Sequence, residues 1–118
     1  MPIVEIEAVA LDSLDAGAPG ALADALGEVF EARPGGTWVV LRALSRERYG
    51  ESAGGPVDPA PVFVRILKRD GAPADPSDEV QGIGEVVAGF FGRSTESIHV
   101  IYEPAAAGRV AFGGVLVR

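Results

Sequence analysis

The period of the hydrophobic positions changes twice along the chain, and then the same change is repeated. Residues 2–10, PIVEIEAVA, alternate partly and are rich in β-branched types, which predicts a strand. After a turn-like stretch over 11–20, Leu22, Leu26, Val29 and Phe30 fall at i, i+4, i+7 and i+8, one face of a helix. Gly35 and Gly36 are its candidate left-handed caps. Residues 37–44, TWVVLRAL, predict a second strand, and 46–60 form a polar connection rich in Gly and Pro.

The pattern then restarts. Residues 61–69, PVFVRILKR, predict a strand opening on Pro61, and Asp75-Pro76 suits an N-cap and first helical position. Ile83, Val87, Phe90 and Phe91 repeat the spacing of the first helix. Residues 97–103, SIHVIYE, read as a strand, and 109–118 as a short strand or hairpin bending at Gly113-Gly114. Pro2 and Pro61 are 59 residues apart, as are Thr37 and Glu96, while the helical faces match at 61. A shared period at both strands is the mark of an internal duplication.

The expected fold class is therefore α+β. Two tandem β-α-β units, about 1–58 and 59–118, form one domain over 1–118. Their four strands make one sheet, with both helices on one face. The other face, expected to carry Val4, Ile6 and Phe63, would remain largely apolar and require a partner, so oligomerisation is expected.

Composition narrows the chemistry. The 118 residues are 47% hydrophobic and 23% charged, ordinary for a globular chain. With no cysteine and one histidine, disulfides, thiolate catalysis and Cys- or His-rich metal sites are excluded, and no metal or cofactor is expected. The net charge of −7 argues against nucleic acid and anionic membranes as partners. It does not argue against a small anionic substrate, since a pocket needs only a few local cations. The first eleven residues hold two glutamates and no Lys or Arg, unlike a signal peptide, and no apolar run approaches a membrane span, so a cytoplasmic protein is expected.

Position 2 has two readings. Pro suits a strand start, where its missing N–H costs the ladder least. Once Met1 is removed, Pro2 also carries a free secondary amine, which can act as a general base. The stretches MPIVEIE, TWVVLRAL, PVFVRILKRDG, SIHVIYEP and GRVAFGG, in that order and spacing, favour the second reading. Together they resemble the tautomerase superfamily, most closely the fused 4-oxalocrotonate tautomerase type, in which two units share one chain. The resemblance implies the tautomerase/MIF-like fold, a homotrimer, and Pro2 as the base that moves a proton in a 2-hydroxydienoate or enol. It also implies arginines that hold the substrate carboxylate and an aromatic or apolar wall. The physics agrees with those roles. A free α-amine has a pKa of about 7.7–8, and nearby cations and burial lower it towards neutrality, where a general base works best.

The chain departs from the family pattern at its cations. The strand arginine would fall at Val40 and His99, and the arginine closing the first strand at Asp12. Arg42, two residues beyond Val40 and on the same strand face, is the expected substitute. Arg69 is the expected carboxylate ligand in the second unit, where Lys68 and Arg69 stand together. Tyr49 is the expected wall. Arg65 is read as structural, paired by Glu5 or Glu7 if buried, Trp38 as subunit packing, and His99 as a hydrogen-bonded structural residue. Two alternatives stand beside the isomerase. One is a hydratase or dehalogenase using the same proline, because 61–75 resembles cis-3-chloroacrylic acid dehalogenase. The other is a catalytically silent trimeric scaffold or ligand-binding protein.

Overall fold

The computed structural model describes residues 2–54 and 57–118. The state of Met1 lies outside the described residues. The main elements are β1 (Ile3–Val9), α1 (Ala18–Val29), β2 (Trp38–Leu44), β3 (Val62–Leu67), α2 (Ser77–Phe91) and β4 (Ile98–Tyr102). A terminal hairpin pairs β5 (Ala111–Phe112) with β6 (Val115–Leu116). The sheet order is β2-β1-β3-β4, parallel within each β-α-β unit and antiparallel where β1 meets β3. This is the expected α+β architecture, with both helices packed on one side of a four-stranded sheet.

Strand parity decides which side. Val4, Ile6 and Ala8 of β1 and Val62, Val64 and Ile66 of β3 are fully buried beneath the helices, with Leu22, Leu26, Ile83 and Val87. Burying a branched side chain of this kind contributes about 1.5–3 kcal/mol. Val4 and Ile6 thus lie on the helical face, contrary to the expectation that they line the open one. The open row of β1 is Ile3, Glu5 and Glu7, flanked by Trp38, Val40 and Arg42 of β2 and by Phe63 and Arg65 of β3. The open face is therefore charged at its centre rather than largely apolar. Arg42 pairs with Glu5 at 3.4 Å and Arg65 with Glu103 at 3.8 Å. Arg65 is half exposed, so neither Glu5 nor Glu7 has to neutralise it.

The helix ends also differ from expectation. Phe90 is 41% exposed, and Phe91 packs against the core instead. The Asp75 carboxylate accepts from the Ser77 amide and hydroxyl just ahead of α2, which holds its carboxyl below the usual range. Gly92 caps α2 in the left-handed region at φ 64°. The same position after α1, 61 residues earlier, is Glu31 at φ 55°, and Gly35 and Gly36 form the following turn instead. A non-glycine residue pays about 1–2 kcal/mol for that conformation. Glu31→Gly is therefore expected to raise the thermal midpoint by about 3–6 °C, read by calorimetry. An unchanged or lower midpoint would show that Glu31 is unstrained. The Gly113-Gly114 bend forms as expected, with both residues at positive φ in a two-residue hairpin turn.

Candidate active site

The starts of β1 and β2 and the ends of β3 and β4 meet at one end of the sheet. Pro2 stands there, its ring fully buried and its carbonyl accepting from the Trp38 amide at 3.0 Å. Pro2 shares the parity of Val4 and Ile6, so its ring turns towards the helical side. One step beyond the Ile3–Leu67 pair, Lys68 lies opposite Pro2 on that same side. Pro2, Lys68, Phe30, Arg33 and the turn after α1 line a cleft of 340 Å³. A larger groove of 680 Å³ runs along α1 and the β2 edge, and shares Glu31, Ala32 and Arg33 with this cleft. The charged residues it adds, Asp24 and Glu28, are both acidic, so it suits an anion less than the cleft does.

The two cations of the cleft differ. The Lys68 ammonium donates to Glu79 Oε1 at 2.7 Å and lies over the Phe30 ring, 5.4 Å from its centroid. Glu79, in the first turn of α2, is only 12% exposed, and its Oε2 accepts from the Tyr102 hydroxyl at the end of β4. Burial, and then the hydrogen bond to Glu79, keep the Tyr102 hydroxyl protonated well above the ordinary tyrosine range. Arg33, on the exposed turn after α1, has no acidic partner within 4 Å among the described residues. The cleft thus offers one guanidinium free to bind an anion and one ammonium held by a carboxylate. Glu31 stands at its edge in a sparsely populated backbone conformation, the kind that clusters at functional sites.

The residues singled out in the sequence are not all brought to Pro2. Arg42 lies opposite Glu7, five residues along β1 from Pro2, roughly 17 Å, and on the open face. Arg69 is exposed, and its Nε donates to the Arg118 carbonyl at 2.6 Å. Tyr49 donates to Glu51 at 2.6 Å and packs on Phe63, towards the far end of the sheet. That hydrogen bond raises its pKa. His99 is exposed on the open face and stacks on Phe63, ring centroids 5.5 Å apart. Trp38 meets Phe112 of the hairpin edge-on at 5.3 Å and stays 52% exposed. Sequence reasoning passed over Arg33, Lys68, Glu79 and Tyr102 as site residues. Parity was a usable signal for Lys68, because Val62, Val64, Ile66 and Lys68 form one alternating row. Arg33 had none, since its place depends on how the turn after α1 folds back beside Pro2.

No family model matches the sequence, and no curated protein matches it. Solved structures do match in fold. A fused 4-OT wild type symmetric trimer superposes with a TM-score of 0.76 at 13% identity, covering 98% of this chain and 94% of that one. Macrophage migration inhibitory factor from Oncomelania hupensis gives 0.71 at 18% identity, over 98% of this chain and 81% of that one. FG41 malonate semialdehyde decarboxylase inhibited by 3-bromopropiolate gives 0.65 at 19% identity, over 94% and 90%. The chain therefore has the tautomerase fold shared by these structures.

Proposed function

We propose that the chain is a proline-based tautomerase acting on a small unsaturated 2-hydroxy or 2-oxo acid. The observation that carries this reading is the Pro2 cleft, where a buried strand-opening proline faces Lys68 and Arg33 beneath the Phe30 ring. With Met1 removed, the Pro2 nitrogen takes the enol O–H proton. The oxygen–carbon bond becomes a carbonyl, the double bond shifts, and the far carbon receives the proton back from the Pro2 ammonium. No atom is gained or lost. Arg33 binds the carboxylate through its planar fork, and Lys68 donates to the oxygen on which negative charge develops. Phe30 keeps water from the transferred proton. The two pseudo-repeats and a homotrimer belong to this reading, supported by the β-α-β topology of both halves and by the trimeric form of the fused 4-OT structure. In such an assembly the open face, with Arg42 and Tyr49, would meet neighbouring copies. No described helix is long and apolar enough to cross a membrane.

The alternative is a hydratase or dehalogenase. Glu31 favours it, because its strained position holds a carboxylate beside the cleft where a water would have to be activated. An intact-mass measurement confirming Met1 removal, followed by assays with phenylenolpyruvate, 2-hydroxymuconate and both chloroacrylate isomers, separates the readings. Ketonisation of an enol acid supports the tautomerase. Turnover of chloroacrylate alone selects the alternative, and turnover of none overturns both.

A further inference from the structure

We infer that the Pro2 cleft is built for a monocarboxylate and excludes dicarboxylates, and that Glu79 sets this preference by neutralising Lys68. The inference rests on the cleft being the substrate site. A dicarboxylate requires two uncompensated cations. The cleft contains two cations, Arg33 and Lys68, but Lys68 is held at 2.7 Å by a carboxylate that is 12% exposed. Glu79 is fixed in turn, because its second oxygen accepts from Tyr102. The ammonium retains donors for a substrate oxygen, but its charge is already balanced. Glu31, at the cleft edge, adds repulsion against a second carboxylate. On the open face Arg42 is paired with Glu5 and Arg65 with Glu103, while Arg69 and Arg109 donate to main-chain oxygens and neither lines the Pro2 cleft. Within the cleft of one copy, the charge left for binding is therefore one guanidinium, that of Arg33.

Crotonate and fumarate test this directly, since both are trans four-carbon unsaturated acids and differ by one carboxylate. Their binding to the full chain is measured by chemical-shift titration at pH 7. Crotonate is expected to bind at least about tenfold tighter than fumarate, the scale of an added like-charge contact. Glu79→Gln frees the Lys68 charge and is expected to shift the ratio at least about tenfold towards fumarate. Glu85→Gln removes the same charge from the exposed side of the same helix and is expected to leave the ratio within about threefold of native. Fumarate binding as tightly as crotonate in the native chain, a ratio unmoved by Glu79→Gln, or no saturable binding of crotonate overturns the inference. The native comparison stands even if the Glu79 variant fails to fold. Because binding needs no turnover, Pro2→Ala retains the preference, so loss of the catalytic reading and loss of this one give different results.

Discussion

Pro2→Ala is expected to lower the rate of enol ketonisation by about 10²–10⁴-fold while leaving the circular dichroism spectrum unchanged. That range is the contribution of a positioned general base. Alanine at the terminus still offers an amine, so some activity remains, but the pyrrolidine ring is gone. In the native chain that ring is fully buried, and the Pro2 carbonyl is held by the Trp38 amide at 3.0 Å. Ring and backbone together aim the nitrogen. The backbone bond survives the substitution, which is why the fold is expected to hold. An unchanged rate in a sample whose mass confirms Met1 removal would take Pro2 out of the mechanism.

The second large effect concerns the cation. Arg33→Ala is expected to cost about 1.5–3 kcal/mol of transition-state stabilisation, the value of a charge-assisted hydrogen bond. This corresponds to roughly a 10- to 150-fold loss in kcat/KM. The loss should fall more on KM than on kcat, because the carboxylate is bound in both ground and transition states. Arg42→Ala separates the two cation assignments. Arg42 is Glu5's partner on the open face, half exposed, and removing such a surface pair costs about 0–1 kcal/mol. A large loss on Arg42→Ala with little on Arg33→Ala would move the substrate carboxylate to the open face, where a neighbouring copy would have to present it to Pro2.

The fold was legible in the sequence because its signals are local and repeated. Alternating strands, two helices of identical spacing and strand offsets of 59 residues between the halves leave few topologies open. The face assignment was legible too, but was misread. Val4 and Ile6 share parity with the most apolar row of β3, and that row, not the row of Glu5 and Glu7, had to meet the helices. The same parity separates Lys68 from Arg69. Adjacent cations on a strand point to opposite faces, and only Lys68 faces the side of Pro2. Arg33 and Glu79 were not legible. Arg33 approaches Pro2 through a turn set by a left-handed Glu31, where glycine would be the ordinary sequence signal. Glu79 reaches Lys68 only because α2 packs its first turn over the ends of β3 and β4, a long-range contact with no spacing rule.

The state of the Pro2 nitrogen is the centre of the account, and a ¹⁵N titration of the labelled proline reads it without any substrate. A free amine beside Lys68 and Arg33 and partly removed from water is expected to titrate below the ordinary terminal value of about 7.7–8. Its unprotonated form is then well populated at neutral pH, as a general base requires. A midpoint below that ordinary terminal value, rising when Arg33 is replaced by alanine, is the predicted result. A nitrogen that does not titrate, or one with a midpoint at or above the ordinary terminal value, would contradict Pro2 as the base.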